Sequence, residues 1–242
     1  MNELLFYLVI LLANIIQGIT GFAGTILAMP FSIKLVGMDT AVPVLNFLGL
    51  LSGVYVFIGN RKSVDWKEVK HIVAFMGPAL IAGIVIKRWL SSKPTVLYMT
   101  LGTIVLLIVI TGLWKMFSGR ERQQESAAID TALLVSSGLV HGMFVCGGPL
   151  LIGYLTRRLK EKTAFRATIS TIWIFLNGAI FISQLIGGSW NMELAKVQLI
   201  SIPFLLAGMF LGGVLYKHMS QRTFMIITYV LLFIAGLSLF FK

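Results

Sequence analysis

The sequence predicts an all-α integral membrane protein. It has about eight hydrophobic segments in two repeated four-segment halves, inverted relative to each other, each opening with a broken or re-entrant helix. Three observations lead there. Hydrophobic residues make up 57% of the 242 and charged residues only 12%, whereas a soluble domain carries about a quarter charged residues. The apolar residues fall into blocks near 3–35, 41–58, 71–87, 95–116, 130–156, 164–187, 194–216 and 223–241. Two glycine runs interrupt this pattern about half a chain apart: Gly18-Ile-Thr-Gly21-Phe-Ala-Gly24 and Gly138-Leu-Val-His-Gly142-Met-Phe-Val-Cys-Gly147-Gly148-Pro149.

The first block follows an acid, Glu3, and lacks both a basic leader and a small-x-small cleavage site. It reads as a retained segment rather than a signal peptide. Blocks 3–35 and 130–156 are too long for one plain helix and short for two, and these are the blocks that carry the glycine runs. The other blocks have roughly the 20-residue length of a spanning helix. Glycine frees the backbone and proline removes a donor. In hydrocarbon such a break survives only where protein or a water-filled cavity satisfies the freed groups. Trp66, Trp89, Trp114 and Trp190 stand at block ends, as an aromatic belt requires. Trp173 lies inside a block and reads as packing. The polar, mixed-charge stretch from Ser118 to Asp130 reads as a linker. The domain reading is therefore a first repeat at 1–117, a linker at 118–130 and a second repeat at 131–242.

Internal similarity supports the halves. Pro78-Ala-Leu-Ile-Ala-Gly83 matches Pro203-Phe-Leu-Leu-Ala-Gly208 at an offset of 125, Trp66 and Trp190 are 124 apart, and the glycine runs align at about 120. Charge gives a separate test. With each broken block crossing once, the basic residues divide 11 against 9. With each as a hairpin returning to its own side, Arg61, Lys62, Lys67, Lys70, Lys115, Arg120, Arg122, Arg157, Arg158, Lys160, Lys162, Arg166, Lys217 and Arg222 share a side, 14 against 6. The positive-inside rule prefers the hairpins. They leave an odd number of crossings per half, which inverts one half relative to the other. The net charge of +11 is then a matter of topology, and no nucleic acid is expected as a partner.

Gly18-x-x-Gly21-Phe-x-Gly24 followed by Pro30, then Gly138-x-x-x-Gly142 with Cys146-Gly147-Gly148-Pro149, resemble the two signature segments of the TauE/SafE family of membrane permeases. The block pattern and the basic loop before Ala164-Phe-Arg-Ala-Thr168 are similar to that family too, so the resemblance covers nearly the whole chain. It implies a transporter, most often an exporter, of sulfite, thiosulfate, organosulfonates or related sulfur anions across the bacterial inner membrane. Ala23 and Thr25 stand where more glycine is common, and Cys146 sits within the second glycine cluster, which leaves the particular anion open.

An anion in the membrane needs donors. Exposed amides at a half-helix N-terminus supply them together with a positive dipole end. On this reading Gly21, Phe22, Gly24 and Thr25 form one amide cradle and Cys146, Gly147 and Gly148 a second, between which a small sulfur anion binds, with Gly142 at the second break. Thr20 and Thr25 would add hydroxyls. The alternative is that these glycines only allow tight helix packing. Gln17 and Asn177, with Asn14, Asn46 and Gln184, line a path or bond between helices. Thr168, Ser170 and Thr171 face the site or bond back to their own helix. His141 donates to the anion, shuttles a proton or is a buried structural histidine. Cys146 reacts as a thiolate or packs as a small residue. Lys34 and Arg166 gather anions or anchor at the interface.

No Asp or Glu lies deep in a block, so a carboxylate proton relay is unsupported, and no cofactor or metal is expected. Two other function classes remain open at this stage, an anion channel and an intramembrane hydrolase using Ser137 and His141, which are four apart and share a helix face. Gly208-x-x-x-Gly212 has the spacing of close helix packing, within the protomer or in a homodimer. The lipid bilayer is the remaining partner.

Overall fold

The computed structural model describes residues 2–89, 127–145 and 147–238, with isolated helical positions Met99, Thr103, Leu106, Leu107, Val109, Ile110 and Trp114. Apart from those positions the block near 95–116 lies outside the described residues, as do residues 118–126 of the linker and Cys146. The helices are α1 (Asn2–Thr20), α2 (Ala23–Val36), α3 (Met38–Asn60), α4 (Trp66–Trp89), α5 (Ala127–Phe144), α6 (Gly148–Arg158), α7 (Lys162–Ile186), α8 (Met192–Lys217) and α9 (Gln221–Ser238). A short 3-10 turn, Arg61–Ser63, follows α3. Helix is the only regular structure among the described residues, and five helices there are long and apolar enough to cross a membrane. Their outer faces carry apolar side chains such as Leu4, Ile58, Ile186 and Leu199, each at least 66% exposed. Asn14, Gln17, Asn46, Ser137, His141 and Asn177 are buried. Polar groups inside and apolar ones outside is the arrangement lipid demands.

Helix ends are set by local chemistry. Gly37 takes φ 77° between α2 and α3, a conformation that suits glycine. Asp65 starts α4, its Oδ1 accepting from the amides of Lys67 (3.0 Å) and Glu68 (3.1 Å). Asn191 does the same for α8 through the Leu194 amide at 2.8 Å. The linker expected at 118–130 gives way to helix at Ala127, so Asp130 lies in the first turn of α5.

The described chain divides into two compact units, Met1–Val69 with Arg166–Met219, and Lys70–Phe165 with Ser220–Lys242. In the first, α1 packs on α8 backbone to backbone at three glycines, with Tyr7 stacked on Phe204 beyond them, ring centroids 5.3 Å apart. A Cβ on Gly208 would lie 2.6 Å from the Leu11 carbonyl oxygen, and one on Gly18 would lie 2.9 Å from that of Met209. Gly212 abuts the Ile15 carbonyl in the same way. The Gly208-x-x-x-Gly212 spacing thus serves packing within the chain. In the second unit α5 packs on α4 by the same means. A Cβ on Gly138 would lie 2.5 Å from the Met76 carbonyl, Gly142 abuts the backbone of Leu80 and Ile84, and Gly83 abuts that of Leu139. Each unit therefore joins a glycine-broken segment from one half of the sequence to the proline–glycine helix of the other half.

Gly212 and Gly213 test this packing, because they are neighbours in one helix and only the first meets backbone; Gly213 has nothing within 4 Å. Gly213→Ala should raise stability by about 0.5–1 kcal/mol through helix propensity. Gly212→Ala should lower it by about 1–3 kcal/mol, since α1 must move aside. Apparent Tm values in detergent will show opposite signs.

Candidate functional site

The first glycine run reverses the chain. α1 stops at Thr20, Gly21 takes φ 82°, and α2 returns along α1, so that a Cβ on Gly24 would lie 2.6 Å from the Ala13 carbonyl and 2.7 Å from Gln17 Cβ. Every backbone amide from Gly21 to Gly24 is engaged within the protein. Gly21 N–H donates to the Gln17 carbonyl (2.7 Å). Those of Phe22 (3.4 Å) and Ala23 (3.2 Å) donate to Thr20 Oγ1. Gly24 N–H donates to Gln17 Oε1 (2.9 Å). The Thr20 hydroxyl donates back to the Ile16 carbonyl at 2.9 Å, so its proton is also committed. Gln17 Nε2 reaches the Gly21 carbonyl (3.2 Å) and Ser52 Oγ (3.1 Å). One amide side chain thereby ties both sides of the break to each other and to α3.

Around this turn the structure gathers several of the residues expected from sequence. A Cβ on Gly49 would lie 2.7 Å from Asn177 Nδ2 and 3.3 Å from Thr25 Oγ1, which brings α2, α3 and α7 together at one level. Asn46 donates to the Asn177 carbonyl at 3.1 Å. Asn14 bonds back to the Ile10 carbonyl at 2.8 Å and Thr171 to that of Ala167 at 2.7 Å. Thr168 lies apart, its Oγ1 accepting from the Asp65 amide at 3.0 Å, where it anchors the start of α4.

The second run builds the same turn differently. Val145 takes φ 57°, a left-handed conformation unusual for a β-branched residue. Gly147 comes to rest against the Ser137 carbonyl, with His141 Cβ 2.7 Å from where its own Cβ would lie. Ser137 Oγ donates to the Gly147 carbonyl at 2.7 Å, the proton a hydrolytic pair would pass to His141. At the open end, Asp130 of α5 meets Arg157 (2.9 Å) and Arg158 (2.7 Å) in the last turn of α6. Entry and exit of this hairpin are pinned together. Gly142 serves the α4 contact, and Gly148 with Pro149 opens α6.

Two buried side chains stand out beside the turn, Arg166 and Ser170. Arg166, read from sequence as gathering anions or anchoring at the interface, is 5% exposed. Its guanidinium stacks on the Tyr216 ring, 4.4 Å from the centroid, and its Nε has no hydrogen-bond partner. Ser170, one turn on, is fully buried with a partnerless Oγ. Both face Gly21: a Cβ there would lie 2.8 Å from Ser170 Oγ and 3.3 Å from Arg166 Cγ. The sequence carried a signal for this, a basic residue and a hydroxyl four apart at the start of an apolar helix.

Residues 6–239 match the family model described as sulfite exporter TauE/SafE. The chain is 28% identical over 186 residues to the probable inner membrane transporter protein TsaS of Comamonas testosteroni, covering 74% of each chain. It is 21% identical over 199 residues to the probable sulfite/organosulfonate exporter TauE of Cupriavidus necator, covering 81% of this chain and 77% of the relative. No solved structure matches it.

Gln17→Leu removes the acceptor for Gly24 N–H and the donor to the Gly21 carbonyl while keeping bulk. Each buried group left unpaired costs about 1–3 kcal/mol, so the variant should show a clear fall in apparent Tm in detergent. An unchanged Tm would mean the break is held by something other than Gln17.

Proposed function

The chain belongs to the sulfite exporter TauE/SafE family, and from that premise we propose that it exports a small sulfur-containing anion such as sulfite, thiosulfate or an organosulfonate across the bacterial inner membrane, binding it at the glycine-rich breaks. It is a transporter rather than an enzyme. The observation that carries this reading is the pair of buried chain reversals in an otherwise apolar protein, at Gly21 and at Val145, each surrounded by polar side chains. Irregular backbone at membrane depth is where transporters hold their solutes.

The proposed architecture is two inverted repeats of four segments, 1–117 and 131–242, joined by the stretch 118–130, whose last residues from Ala127 form the first turn of α5. The supporting contacts recur in pairs. Gly21 and Val145, the residues with positive φ at the two reversals, are 124 positions apart. Gly24 against Ala13 and Gln17 corresponds to Gly147 against Ser137 and His141. Gly18 against Met209 corresponds to Gly142 against Ile84, and Gly208 against Asn14 to Gly83 against Leu139. These equivalences fall at 123 to 125, in step with the tryptophan and proline landmarks, so Gly18 pairs with Gly142 rather than Gly138. The Asp130–Arg157–Arg158 cluster supports a hairpin that returns to its own side.

An anion leaving a cell that is negative inside gains about 2.3 kcal/mol per charge at 100 mV. Proteoliposomes loaded with sulfite should release it faster when a potassium diffusion potential makes the lumen negative, in a saturable manner stimulated by sulfite outside. Efflux at one rate whatever the potential would argue against the mechanism, and non-saturating flux would favour a channel.

A further inference from the structure

Closure of the first break raises the question of what meets the anion's charge. The amides of Gly21, Phe22, Ala23 and Gly24 donate to Gln17 and Thr20, so they hold no free donor for a solute. A buried guanidinium, by contrast, lies against the same turn. Arg166 is 95% withdrawn from solvent, and among the described residues no carboxylate pairs with it. Burying an unpaired charge costs several kcal/mol, and proteins do not keep one without a partner. Tyr216 covers one face of the guanidinium plane, which leaves the in-plane N–H fork as the edge that can donate. Nε–H lacks an acceptor and so does the Ser170 hydroxyl beside Gly21.

We propose that Arg166 and Ser170, at the Gly21 turn, form an oxyanion-recognition site in which the guanidinium supplies the counter-charge and the serine a second donor. This deepens the export reading and rests on it for the sulfur chemistry of the ligand. The class of ligand follows from the donors. A planar fork plus a neighbouring hydroxyl suits a solute that presents several oxygens from one centre, such as sulfite or a sulfonate, better than a spherical halide. Position fits as well. Arg166 lies four residues into α7 and Ser170 eight, so at 1.5 Å per residue they sit about 6 and 12 Å from its start. That start follows the basic stretch Arg157 to Lys162, on the side that the positive-inside rule assigns to the cytoplasm. An outgoing anion meets Arg166 before the break itself.

The test is ligand-dependent thermal stabilisation of the purified full-length protein, with Kd from titration of sulfite, thiosulfate, sulfoacetate, nitrate and chloride at constant ionic strength. Wild type should be protected by the sulfur oxyanions and not by chloride. Arg166→Gln should weaken binding at least tenfold while its ligand-free Tm stays equal or rises, because an unpaired buried charge has gone. Arg166→Lys should bind with intermediate affinity, and Ser170→Ala should lose a smaller factor. A merely structural arginine would instead lower the ligand-free Tm and leave Kd alone, and that result overturns the proposal. If Arg166→Gln does not fold, unchanged Kd values in both Arg166→Lys and Ser170→Ala overturn it equally. Sulfite binding that is intact in Arg166→Gln removes this site and leaves the export reading standing. Protection of wild type by nitrate through Arg166, with none from any sulfur anion, removes the export reading and leaves the site.

Discussion

The structure depends on satisfying backbone groups where the helix stops. A chain that reverses direction in hydrocarbon frees amides and carbonyls that water cannot reach. Here the first reversal is held by Gln17, which accepts from Gly24 N–H and donates to the Gly21 carbonyl and to Ser52. Thr20 takes the two amides between. Without these two side chains the glycine run would be a liability rather than a turn. With them α2 can lie along α1, and the outer surface is left to lipid. At the second reversal Ser137 holds Gly147, and the Asp130 cluster closes the far end.

The chain's own side chains close the first turn, and the glycines around the two breaks meet neighbouring backbone. Gly18, Gly208 and Gly212 let α1 and α8 touch, while Gly138, Gly142 and Gly83 do so for α5 and α4. Gly21 and Gly24 shape the reversal itself. Most of these glycines meet backbone from another helix, which is the packing reading of such runs. Beside the Gly21 turn, the donors without a partner are side chains of α7, Arg166 Nε and Ser170 Oγ.

The all-helical, apolar character and the two interruptions of helix near Gly21 and Val145 were legible in the sequence because hydropathy and glycine placement report directly on lipid exposure and chain reversal. The register between the halves was blurred. On the proposed repeat Gly21 has Val145 as its counterpart and Gln17 has His141, so matching glycine to glycine slides the alignment by about four residues, one helical turn. Arg166 had two readings in the sequence, gathering anions or anchoring at the interface. Hydropathy assigns a cation near a helix end to the interface, and only its burial under Tyr216 separates it from Lys34, which is exposed. Gln198, buried with both polar atoms lacking partners, gave no signal of spacing at all.

The contact between α1 and α8 carries a last consequence. Where carbonyl oxygen meets α-carbon there are no rotamers to flip and no methylenes to compress. Such a seam cannot loosen by degrees. During a transport cycle these two helices would travel as one plank, taking the Gly21 turn with them, and the give must come from joints where side chains intervene.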